Sequence, residues 1–166
     1  TSREMRIWPE QDLLIVMTLF SNCGEIHGCS PIEGQDRFNF YDISGKNAAA
    51  PKLVSTYEPS YDPHEFFLWD DPRKPGRALL YISTPQGAEK IIVTDISGAR
   101  KGKFTELTKM SPLYNGSFVH SLSVNNAGTR GYIAHLTGGV GVLDTSQLAK
   151  GVKKPSIRVL TPPNNA

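Results

Sequence analysis

Tyr41-Asp42-Ile43-Ser44, Thr94-Asp95-Ile96-Ser97 and Leu143-Asp144-Thr145-Ser146 are three versions of one phrase, and each closes an apolar, strand-like run. The three aspartates stand 53 and 49 residues apart. A polar loop with Lys and Gly follows each phrase, and then a short apolar stretch. The two later copies also open alike, with Pro63-His64-Glu65-Phe66-Phe67 and Phe118-Val119-His120-Ser121-Leu122. A period near fifty with several short strands per copy is that of a β-propeller blade.

Working outward, the second copy reads most clearly. His64-Glu65-Phe66-Phe67-Leu68-Trp69 is its first strand, and a turn over 70–76 leads to Ala78-Leu79-Leu80-Tyr81-Ile82-Ser83. Residues 90–95 and 104–108 supply the third and fourth strands. The third copy repeats this order over 119–124, 131–136, 139–143 and 157–160. The first has strands over 13–19, 38–41 and 52–56, with an innermost strand over 4–8. No segment keeps a helical period, so the chain is all-β. The expected organisation is one four-stranded antiparallel blade over 1–58, a second over 59–112, a third over 113–161, and a tail over 162–166. Propellers close with about four to eight blades, and closure is what removes unpaired strand edges. Three blades are therefore expected to be a fragment of a larger propeller, completed by further blades of the same or another chain.

The bulk properties agree with a folded domain. Of the 166 residues, 39% are apolar and 20% charged, outside the range of disordered chains. The net charge of +2 selects no class of partner. The longest apolar run, over 13–20, is strand-sized and far short of a membrane span, so no transmembrane segment is expected. No charged and apolar leader of the signal-peptide kind is visible either.

Blade topology decides which side chains can meet. The innermost strand starts on the face where the loop between the second and third strands emerges. This places His64 and His120, at the openings of innermost strands, with His135 at the end of a second strand and His27 in the long loop of the first blade. Imidazoles converging near a propeller axis suit a transition metal, with His64 and His120 as ligands and His27 as a further ligand-binding residue. The competing role for His64 and His120 is structural, one ring nitrogen bonding the backbone of the neighbouring blade. Cys23 and Cys29 flank His27. They suit a disulfide across the loop, a Cys/His/Cys metal site, or free thiols. Asp42, Asp95 and Asp144 are expected to accept backbone N–H bonds in turns on the opposite face. Lys46, Lys52, Arg100, Lys101, Lys103, Lys150, Lys153 and Lys154 gather on that face. They either attract an anionic surface or only solvate their loops. Aromatics are not interleaved with them, so nucleic acid is not expected as a partner. Hydrolase elbows, phosphate-cradling loops and His-Glu-x-x-His are all missing.

The repeat resembles that of the LVIVD family of bacterial β-propellers. The match runs through His120, Gly131-Tyr132-Ile133-Ala134 and Gly138-Gly139-Val140-Gly141-Val142-Leu143-Asp144-Thr145-Ser146, and through His64, Leu80-Tyr81-Ile82-Ser83 and Ile92-Val93-Thr94-Asp95-Ile96-Ser97. The first copy departs from it, with no His at its opening and a longer loop between its second and third strands. The resemblance implies a secreted or cell-surface protein. The expected function is a scaffold that binds a surface polysaccharide or a protein. The leading His is also similar to that of the selenium-binding protein and methanethiol oxidase propellers. That likeness implies the alternative, a metal-dependent, oxidase-like enzyme with histidine ligands.

Overall fold

Short runs of β-branched and aromatic residues, separated by Gly, Pro and Asp turns, form twelve strands in the described residues. The structure is a computed structural model, and it describes residues 2–20, 34–85, 87–111, 118–136 and 139–161. The strands make three antiparallel sheets of four, each in chain order. The first holds β1 (Ser2–Trp8), β2 (Leu13–Thr18), β3 (Arg37–Asp42) and β4 (Lys52–Tyr57). The second holds β5 (Glu65–Asp70), β6 (Ala78–Ser83), β7 (Ile91–Gly98) and β8 (Lys103–Met110). The third holds β9 (Val119–Val124), β10 (Arg130–His135), β11 (Gly139–Asp144) and β12 (Arg158–Thr161). The fold is all-β and the sheets are blade-like. One α-helical turn, α1 (Ser146–Ala149), and three 3-10 turns, Pro9–Gln11, Gly45–Ala48 and Ala99–Lys101, depart from the purely strand-and-loop expectation. α1 sits where the Asp144-Thr145-Ser146 phrase leaves the sheet, and it buries Leu148 and Ala149.

The sheets stack face to face, with β5 packed between β1 and β9. Alternation along β6 shows why. Its six residues are all buried. Ala78, Leu80 and Ile82 join a core with Leu13, Ile15, Met17, Phe38 and Phe40 of the first sheet. Leu79 and Tyr81 join a second core with Val119, Ile133 and Leu143 of the third. A strand buried on both faces has no polar face to alternate with, hence the unbroken apolar run. Each face-to-face junction is a seam, and the middle sheet supplies one side of both.

Polar groups lock the seams. At the first, Tyr57 Oη lies 2.8 Å from Thr94 Oγ1 and donates to Glu106 Oε1 at 2.8 Å. Arg100 reaches back to the Gln11 carbonyl and to Asp42 Oδ1 at 3.0 Å. At the second, Arg77 donates to the Leu148 carbonyl at 2.6 Å and to Asp71 Oδ2 at 2.7 Å. Trp69 Nε1 donates to the Asn126 carbonyl at 3.0 Å. Its ring lies so close to Gly128 that a Cβ there would fall 2.3 Å from the indole.

These locks titrate. Burial pushes Glu106 up, but bonds from Lys109, Ser60 and Tyr57 more than offset it and hold the carboxyl below its ordinary 4.5. Burial likewise raises Asp71, while the Arg73 N–H and the Arg77 guanidinium bring it below 3.8. Desolvation raises Tyr57 and Tyr81 well above 10.0. A carboxylate depressed in the folded state stabilises above its unfolded pKa, and that contribution is lost as pH falls through the folded value. A phenol raised in the folded state stabilises below its unfolded pKa and loses this as pH rises past it. Urea unfolding across pH is therefore expected to show a plateau, with an acid decline beginning near pH 4 and an alkaline decline beginning near pH 10. Asp71→Asn is expected to lower the plateau and flatten the acid limb.

Gly128 also adopts a φ of +71°, which side chains with a Cβ rarely take. Gly128→Ala is expected to cost roughly 2–4 kcal/mol, combining backbone strain with the clash against Trp69. Thermal unfolding checks this, and Gly102→Ala is the control, being at a similar φ but with open space around it.

Candidate functional site

The second seam opens at the entry of β5 and β9, where two equivalent histidines face each other. Cross-strand pairing makes the equivalence explicit. Glu65 pairs with Ser83 on β6, and Ser121 pairs with Ala134 on β10, so His64 and His120 stand one residue before matching rungs. Their ring centroids are 4.8 Å apart with the planes at 77°. Phe118 meets the His64 ring edge-on at 5.2 Å. His64 is buried at 6% exposure, while His120 and Glu65 are half-buried. Glu65 Oε1 lies 3.5 Å from His120 Nδ1.

One hydroxyl holds this arrangement. Ser83 Oγ accepts the Glu65 N–H at 3.0 Å and points its own proton at the His120 carbonyl at 3.0 Å. The His64 N–H donates to the Ser83 carbonyl at 2.8 Å. Ser83 itself is fully buried. It joins the innermost strands of two blades, so the imidazoles are set by backbone on both sides rather than by flexible loops.

His64, Glu65 and His120 each offer one ligand atom, all within 4.8 Å of one another. An ion with bonds of about 2.0–2.1 Å needs tetrahedral ligands roughly 3.3 Å apart. The 3.5 Å Glu65–His120 separation is close to this, and the ligand atom of His64 lies within 4.8 Å of both. Two imidazoles and one carboxylate form a common donor set for zinc and other divalent transition ions.

The register places the other residues too. His135 pairs with Val119, so it shares this face, but it is outside the three-residue cluster. His27, Cys23 and Cys29 lie outside the described residues. Asp42, Asp95 and Asp144 each accept the N–H two residues on, from Ser44, Ser97 and Ser146 at 3.1, 2.8 and 3.0 Å. This is the expected turn role. Hydrogen bonds from Ser44 and then from Arg100 hold Asp42 well below the usual carboxylate range, and bonds from Ser146, with Arg130 and Arg158, lower Asp144. Among the basic loop residues, Arg100 is engaged by the first sheet and does not belong to a free cationic patch. The seven lysines of that group are exposed. Lys153 and Lys74 rim an open groove of about 550 Å³ between the second and third sheets, at the end away from the histidines.

Sequence reasoning missed Glu65. A signal for it exists, since Glu4 occupies the same rung of the first sheet. Glu4 also reaches the next blade, where its Oε2 accepts the Phe66 N–H at 3.0 Å. The first seam thus closes its carboxylate onto backbone, while the second leaves one beside an imidazole pair. No protein-family model matches the chain, and no curated protein does.

Proposed function

We propose that the chain is a stretch of an LVIVD-type propeller serving as an extracellular or cell-surface binding scaffold. We place its binding end at the His64, Glu65 and His120 cluster, which takes a divalent transition-metal ion. The observation that carries this reading is the convergence of two imidazoles and a carboxylate within 4.8 Å, at a seam locked by buried Ser83.

The physical logic is direct. Two imidazoles and a carboxylate held this close by the backbone of two neighbouring sheets are placed to share one ion without a large rearrangement of the chain. Three protein donors leave coordination positions open. A carboxylate or imidazole from a surface polysaccharide or a protein partner can fill them, and the ion then links scaffold to ligand. His64 is buried and resists displacement, whereas the half-buried His120 and Glu65 face the approach path.

The test is a zinc titration against a chromophoric chelator, with the folded state followed by circular dichroism. One equivalent is expected for the wild type. Affinity is expected to fall about 100-fold in His64→Ala and His120→Ala, and about tenfold in Glu65→Gln. His135→Ala should bind as the wild type does. Folded protein without stoichiometric uptake, or Glu65→Gln and His120→Ala variants that bind unchanged, would overturn the reading.

A further inference from the structure

At the end away from the histidines, the first seam is bridged by an arginine and the second holds a groove. The 3-10 turn Ala99–Lys101 carries Arg100 from the second sheet to Asp42 of the first, and the same guanidinium takes the Gln11 carbonyl. The third sheet has α1 in place of that turn, and among the described residues none of its arginines reaches back to Asp95. The three repeated aspartates differ accordingly. Asp42 pairs with Arg100 at 3.0 Å, and Asp144 pairs with Arg158 and Arg130 at 3.2 and 3.6 Å. Among the described residues Asp95 has no such cation, and its carboxylate accepts only the Ser97 N–H. Asp95 instead lines the groove of about 550 Å³ between the second and third sheets.

The lining of that groove combines three kinds of group. Lys74 and Lys153 are exposed cations, one from each blade. Asp95 is half-buried, and the exposed hydroxyls of Ser97 and of its cross-strand partner Thr105 share the lining with it. Leu107, and Val152 at 42% exposure, supply apolar surface. Two lysines against one aspartate leave a single positive charge, because Arg77 is balanced by Asp71 and donates to the Leu148 and Ala149 carbonyls. A matching ligand carries hydroxyls, one negative charge and an apolar face. A phosphate dianion is a poorer match, since the one arginine in the lining is already engaged and Asp95 repels a second charge. We propose that the groove binds an acidic saccharide, with a uronate carboxylate on Lys74 and Lys153, ring hydroxyls donating to Asp95, and a pyranose face on Leu107 and Val152. The site stands at the opposite end of the seam from His64 and His120 and does not rest on the metal reading.

Isothermal titration calorimetry of the whole chain in EDTA tests it, with trigalacturonate and a hyaluronan tetrasaccharide as acidic probes and maltotriose as the neutral one. One-to-one binding of at least one acidic probe is expected, and no binding of maltotriose at the same concentration. Lys74→Ala and Lys153→Ala are each expected to weaken binding about threefold to fivefold, the scale of one exposed ion pair. Lys46→Ala, on the first blade, should bind as the wild type does. Asp95→Asn separates a sugar site from a merely cationic surface. It keeps an oxygen for the Ser97 N–H and removes one negative charge. A surface that only attracts anions binds better after that change, whereas a sugar site loses its charged acceptor and binds about tenfold more weakly. Thr105→Val, at an exposed position, repeats the test should Asp95→Asn fail to fold, and weaker binding is expected. Folded protein that takes up neither acidic probe would overturn the inference, as would tighter binding in Asp95→Asn. Displacement of the sugar by equimolar inorganic phosphate or by phosphatidylglycerol vesicles would overturn it too, assigning the groove to phosphate chemistry. Binding that is lost in His64→Ala and kept in Lys74→Ala would place the sugar at the histidines instead.

Discussion

The middle sheet has two apolar faces and no polar one. All six residues of β6 are buried, and alternate residues face opposite neighbours. Such a sheet is stable only when it is sandwiched, since burial of an aliphatic side chain contributes roughly 1.5–3 kcal/mol and this one has such side chains on both sides. The other features follow from that demand. A sheet must lie on each side, the innermost strands must run together, and whatever stands at their entries is brought into contact. The seam locks at Tyr57, Arg77, Trp69 and Arg100 fix how the sheets sit, but apolar packing makes them stack.

The histidine cluster is a consequence of that stacking. His64 and His120 are 56 residues apart in the chain, and each is unremarkable within its own strand. Side-by-side innermost strands bring matching rungs together, so a residue repeated at one rung meets its own counterpart. The same geometry gives Glu4 a backbone partner at the first seam and gives Glu65 an imidazole neighbour at the second. Stacked, equivalent sheets therefore turn one position repeated within the chain into a cluster across a seam, without a dedicated loop. The opposite face, with its Asp-centred turns and exposed lysines, has no such convergence of ligating groups among the described residues.

Much of the fold was legible because its signals are local. The Asp-x-Ser phrases, the β-branched runs and the Gly and Asn turns each depend on residues within a few positions of one another. Asp42, Asp95 and Asp144 take the turn role their spacing implies. What was not legible depends on contacts between sheets. Arg100 reads as one more loop cation, and only the packing of the 99–101 turn against the first sheet shows its partners. Glu65 reads as an ordinary strand residue beside a histidine, and its significance needs the position of β9. α1 is too short to leave a period. The shared rung of Glu4 and Glu65 was present in the sequence, but it becomes a signal only after the register is known.

X-ray absorption at the zinc edge of the loaded protein reads the seam most directly, because it counts the imidazoles that one ion can touch at once. Two histidine nitrogens at about 2.0–2.1 Å and a carboxylate oxygen are expected, and one imidazole should vanish in His120→Ala. A first shell with a single imidazole, or with oxygen alone, would mean that His64 and His120 do not converge across the seam, and it would contradict the blade packing that brings them together.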